Sequence, residues 1–140
     1  MIPMVATNTD KLNFENECCV LTTDPDIPAL VFTWKGILPS PAFREVHHKA
    51  LQLIRENKIT KILGDTTNMK TMGSEDIAWM NSFWMPSAIE AGFRQGAIVE
   101  SNNTFNRMTV NAVVEKVKPE EATFNFFDSY EAARFWLKNS

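Results

Sequence analysis

The 140-residue sequence predicts an α/β protein with a mixed, mostly parallel five-stranded sheet and four helices. Three observations carry this reading. Short apolar runs rich in β-branched and aromatic residues alternate with longer stretches of 3.6-residue period. From Ile59 to Val99 the chain reads strand–helix–strand, which implies a parallel pair. Near the start, Asp24-Pro25-Asp26-Ile27-Pro28 joins two strand-like runs by a short turn that suits an antiparallel pair.

Residues 1–12 show no period and read as a loose N-terminal arm of a single domain spanning 1–140. Phe14 to Thr23, centred on Cys18, Cys19, Val20 and Leu21, suits the first strand, and Ala29 to Lys35 the second. Ser40 then reads as an N-cap with Pro41 at the first helical position. The helix reaches about Asn57 and puts Phe43, Val46, Ala50, Leu53 and Ile54 on one face. Ile59 to Thr66 is the third strand.

Ser74 is expected to cap the second helix, with Glu75 and Asp76 at its positive end. Ile77, Met80, Trp84, Ala88 and Ala91 form that helix's apolar face, and Gly92 closes it. Gly96 to Glu100 is the fourth strand. A weaker helix follows from Asn102 to Lys118, with Phe105, Met108, Ala112 and Val113 facing roughly one way. Thr123 to Phe127 is the fifth strand, and Asp128 with Glu131 reads as a capping box before the last helix. With strands added in order and crossovers of one hand, the chain winds as a right-handed (βα) superhelix with a hairpin at its start.

Composition narrows the function classes. Ten Phe and four Trp in a chain with 44% hydrophobic residues argue against disorder. The net charge of −3 comes without a basic run or stripe, so no nucleic-acid partner is expected. No apolar run approaches the roughly 20 residues of a membrane span. Met1-Ile2-Pro3-Met4 lacks the charged start of a signal peptide, so a cytoplasmic location is expected. Adjacent Cys18 and Cys19 point to opposite faces of a strand. They read as reduced thiols, one buried and one half-exposed, with no metal or cofactor expected.

The C-terminal ends of parallel strands are where α/β proteins bind ligands. Asp65, Thr66, Thr67, Ser74, Ser101, Asn102 and Asn103 should gather there, with Lys70 and Arg107 nearby. Helix N-termini at that edge suit a small anionic ligand. His47 and His48 lie about 100° apart on a helix and cannot chelate one ion, so no metal site is expected; His47 reads as a half-buried residue at the core's edge. Trp79 and Phe83, one turn apart, fall outside the apolar face of their helix. They suggest an exposed patch for a protein partner or for a homodimer through the second helix.

Several features together resemble the SpoIIAA-like branch of the STAS superfamily, often labelled STAS/SEC14-like in bacteria. They are Trp34-Lys35-Gly36, Asp65 ending a strand, Trp84 with Pro86, Gly92 with Arg94 before Ala97-Ile98-Val99, and Phe127-Asp128 with Glu131-Ala132 and Trp136-Leu137. The resemblance runs from Phe14 onward and implies a bacterial, cytoplasmic regulatory or protein-interaction module. In the anti-sigma-factor antagonists of that superfamily a serine opening the second helix is phosphorylated within an Asp-Ser-Ser-Gly-like sequence. Here Gly73-Ser74-Glu75-Asp76 stands in that place, with Glu75 beside or at the acceptor position, so efficient phosphorylation of Ser74 is not expected. The main expectation is therefore a non-enzymatic module. A binder of a small apolar ligand or lipid, built like the SEC14-like carriers, is the alternative, and an enzyme of unknown reaction the third.

Overall fold

The computed structural model describes residues 10–140. Six strands form one sheet in sequential order: β1 (Lys11–Glu15), β2 (Cys19–Thr23), β3 (Ala29–Gly36), β4 (Lys61–Met69), β5 (Gln95–Val99) and β6 (Thr123–Phe127). β1, β2 and β3 pair antiparallel, and β3 to β6 are parallel. Leu63 stands opposite Ala97 and Asp65 opposite Val99 in parallel register, as the strand–helix–strand reading requires.

The five-strand expectation is corrected to six, with two antiparallel strands at the start rather than one. The run from Phe14 to Thr23 does not stay extended. Asn16 Oδ1 accepts from the backbone N–H groups of Cys18 and Cys19 at 3.0 and 3.2 Å, and this side chain turns the chain into a hairpin. Both cysteines are buried, so the half-exposed thiol is also corrected. Of the expected arm, Lys11 and Leu12 belong to β1, and residues 1–9 lie outside the described residues.

Alternation along the strands sorts the sheet into two faces. Leu30, Phe32, Trp34, Ile62 and Ile98 face one side and belong to the larger core. That side is covered by α1 (Ser40–Asn57), by a second helix, and by α4 (Thr104–Val114). Crossovers of one hand between successive neighbours place their helices on one face, as seen here. Ala29, Val31, Leu63, Ala97 and Val99 face the other side and are covered by α5 (Tyr130–Lys138), through Ala133 and Leu137.

The second helix has three parts: α2 (Ser74–Trp79), a π-helical turn (Met80–Trp84) and α3 (Met85–Ala91). The junction residues Trp79, Met80, Trp84 and Met85 all keep helical dihedrals, so the rod is continuous. Pro86 explains the wide turn. Its ring has no N–H for the Ser82 carbonyl and would collide with it in a regular helix. Widening the preceding turn, with the Met85 N–H reaching Met80 O, relieves that clash. Ser82 Oγ donates to Ala78 O and Ser87 Oγ to Phe83 O, satisfying carbonyls on either side.

Three cap expectations are corrected. Pro39, not Ser40, precedes α1, and the Ser40 hydroxyl instead donates to Asp76 Oδ1 at 2.8 Å. Gly73 occupies the N-cap of α2, so Ser74 is its first helical residue and caps nothing. Ser129 rather than Asp128 caps α5, accepting from the Ala132 N–H at 3.1 Å. The inward face of α4 is corrected too. Asn106, Val110 and Val113 are buried, while Phe105 and Met108 point to solvent.

Candidate functional site

Some of the polar residues expected at the strand ends bond one another or their neighbours, and those bonds tie the loops together. Asp65 Oδ1 accepts from the Thr67 N–H at 3.0 Å and the Thr67 hydroxyl at 2.6 Å. Thr66 is buried, and its hydroxyl donates to Val99 O at 2.7 Å across to β5. Ser101 Oγ accepts from the Asn103 N–H, and Asn103 Oδ1 caps α4 by accepting from the Asn106 N–H. Asn106 then donates its amide to Met69 O and Lys70 O, locking α4 to the end of β4. Asn102, Ser74, Lys70 and Arg107 are exposed. Arg107 borders a narrow crevice with Thr66, Glu100 and Phe126. Glu100 borders the same crevice, so its carboxylate opposes the pull of Arg107 on an anion there.

A more apolar concavity lies deeper, on the face covered by three helices. A cavity of about 90 Å³ sits between the sheet and the helical layer. Phe32, Trp34, Ile62, Gly64, Thr66 and Ile98 form its floor. Phe43 and His47 from α1, and Met80, Trp84 and Met85 from the π turn and its end, form its roof. Met69, Met72, Phe93, Val110 and Val113 close the sides, and the half-buried Val114 and Phe124 mark the flank nearest solvent. The floor owes its shape to a register shift. Between Thr33 and Lys35 of β3 the paired residues on β4 jump from Asp65 to Asn68, so Thr66 and Thr67 together oppose Trp34. Such bulges re-aim side chains beside binding sites.

His47 stands in this roof and not at the core's edge, which corrects the half-buried expectation; only 3% of it is exposed. Five aromatic rings surround it, with centroids at 4.4 Å (Phe43), 4.9 Å (Trp84), 5.4 Å (Trp34), 5.5 Å (Phe32) and 6.0 Å (Trp79). Its Nδ1 lies 2.9 Å from Phe43 O. A carbonyl only accepts, so Nδ1 carries the proton and Nε2 keeps a lone pair. Burial pushes the imidazole pKa down to about 4, against smaller opposing effects of the Phe43 carbonyl and Asp76. The Trp84 indole N–H donates to His47 O at 2.6 Å, pinning the π turn to α1.

Trp79 connects this roof to the surface. It meets Phe43 and His47 edge-on from one side. On the other it meets His48 at 5.4 Å and Phe83 at 5.5 Å, and His48 and Phe83 are 6.1 Å apart. Arg44 lies 5.0 Å from the Trp79 ring centroid and pairs with buried Asp76 at 3.0 Å. Phe83 is 42% exposed and Trp79 half-buried, so the two form one patch flanked by a core contact.

The sequence reading carried a pocket between helices and sheet as its alternative, but of the residues it singled out as site candidates only Thr66 lines this cavity. Two signals pointed to it: Pro86 within a helical stretch, which marks a distorted turn, and Phe43 one turn before His47 on a buried face. Among the described residues no cluster of three metal-ligating side chains occurs, and no helix is long and apolar enough to cross a membrane. Fold and site together define an α/β protein with an aromatic- and methionine-lined cavity under its helical layer. No protein-family model matches the chain, and no curated protein does.

Proposed function

We propose that the protein is a non-catalytic binding module that holds a small apolar molecule between its sheet and its helical layer. The cavity carries this reading: about 90 Å³ lined by aromatic, aliphatic and methionine side chains. An engineered apolar cavity of about 150 Å³ stays dry and takes up benzene. The smaller volume here suits a guest of that size only if the lining yields. Met69, Met72, Met80 and Met85 supply unbranched, adaptable side chains for this. The size favours a compact guest over a long-chain lipid. The test is a benzene titration followed in ¹H–¹³C spectra of the methionine methyls. Saturable shifts at Met80 and Met85 are expected, with exposed Met108 as the internal control. Unchanged spectra up to the solubility limit of benzene would overturn the reading.

A second reading rests on the His48–Trp79–Phe83 patch: a regulatory or interaction module that docks a protein partner or pairs with itself through α2 and the π turn. The aromatic surplus supports it, since Trp and other large rings supply most interface energy. Kinship with the SpoIIAA-like STAS proteins belongs to the same proposal and is supported by the strand–helix order. Sedimentation at tens of micromolar distinguishes the self-pairing form. A wild-type dimer that Trp79→Ala with Phe83→Ala dissociates supports it, and a wild-type monomer removes it.

A further inference from the structure

The cavity is not uniformly apolar, and its polar atoms are of one kind. Each hydrogen-bond donor in its wall is engaged by a backbone carbonyl: Nδ1–H of His47 by Phe43 O, the indole N–H of Trp84 by His47 O, and the hydroxyl of Thr66 by Val99 O. What remains is acceptor capacity. His47 Nε2 has no protein partner among the described residues, and Thr66 Oγ keeps its lone pairs. Among the described residues no charged side chain lines the cavity.

We infer that the cavity selects a small neutral molecule with an apolar body and one hydrogen-bond donor, a phenol or short alcohol, anchored by its O–H on His47 Nε2. The inference rests on the cavity being a ligand site and deepens that reading by naming the chemistry of the guest. A carboxylate is excluded: it is acceptor-only and would meet a second acceptor with no cation to compensate. An ammonium would have to leave water with no carboxylate in the wall to receive it. A hydrocarbon fits the shape but leaves the imidazole lone pair without a partner, whereas a hydroxyl supplies one and exchanges its donated bond to water for one to the imidazole. The imidazole stays neutral through physiological pH, so it does not turn into a donor there.

The experiment compares phenol, benzene and benzoate by calorimetry and by ¹⁵N spectra of the histidines. Phenol is expected to bind wild type at least as tightly as benzene, and benzoate not at all. In His47→Phe the phenol-to-benzene affinity ratio should fall roughly tenfold, the cost of a buried hydroxyl left without an acceptor. In wild type, phenol but not benzene should move the His47 Nε2 resonance upfield, as donation to a bare imidazole nitrogen does. That measurement decides the matter if the variant fails to fold or loses benzene too. Benzene binding with an unmoved Nε2 resonance on phenol addition, or an unchanged ratio in the variant, overturns the anchor and leaves the cavity reading standing. Absence of binding by both aromatics overturns the cavity reading itself, and the anchor with it.

Discussion

Acidification should destabilise this protein through one residue. In the unfolded chain His47 titrates near the ordinary histidine value of 6.5, but in the fold burial lowers its pKa to about 4. The unfolded state therefore takes up a proton first. Stability is full above about pH 6.5, falls as pH drops below it, and levels off once pH has passed the folded value near 4. At pH 5 the imbalance amounts to about 2 kcal/mol. With a urea slope of about 2 kcal/mol/M, the unfolding midpoint should drop by about 1 M between pH 7 and pH 5. Other groups act in the same direction or against it. Asp24, whose burial alone would raise its pKa but whose Arg134 and backbone hydrogen bonds lower it on balance, loses its contribution as pH falls through the ordinary carboxylate value and below. Asp10, raised by burial and by Asp24, is relieved as pH falls. His47→Phe removes the histidine and leaves these in place, so the comparison is between two urea series. Wild type should lose about 1 M more than the variant. Equal losses in both proteins would refute the account and place His47 in contact with water.

Three further outcomes are expected. In Gly96→Ala the new Cβ would lie 2.4 and 2.6 Å from Phe124 ring carbons and 3.2 Å from Phe93 Cζ, so thermal or urea unfolding should show a loss of about 1–3 kcal/mol. Combining it with Phe124→Ala should cost less than the sum of the two. Ser74→Ala should stay within about 0.5 kcal/mol of wild type, because Gly73 holds the cap position, whereas Ser129→Ala should lose about 1 kcal/mol with its bond to the Ala132 N–H. Arg134→Ala strips buried Asp24 of contacts at 2.7 and 3.1 Å and should cost roughly 2–4 kcal/mol in urea unfolding.

Much of the fold was legible because it is written in local periods. Phe43, Val46, Ala50, Leu53 and Ile54 are all buried, at the spacing one helical face demands. β6 occupies the stretch expected for it, Thr123–Phe127. What escaped was non-local or polar. Nothing in a hydropathy pattern says that Asn16 will bend its own chain into a hairpin by accepting two backbone N–H groups. On α4 a hydropathy pattern picks a large apolar residue as the inward one, yet Phe105 is 70% exposed and Asn106 is inside. Asn106 is there because the carbonyls of Met69 and Lys70 need a donor, a requirement set by another strand. The cavity is non-local in the same sense. His47 shares its helix with Phe43, but Phe32, Trp34 and Trp84 come from a strand and a helix whose approach only the folded chain reveals.

The lopsided cover of the sheet has a consequence for how the chain comes to be made. Three helices shield one face, and each follows a strand it helps to cover. Among the described residues the opposite face depends on α5, which follows all six strands. During synthesis Val31, Leu63, Ala97 and Val99 are thus made before α5, the helix that covers them among the described residues. The helix that closes it has nine residues, too few to hold its shape alone. It must therefore form on the sheet, with Arg134 meeting Asp24 as Ala133 and Leu137 seat. A nascent chain paused after β6 would be the form of this protein most exposed to chaperones.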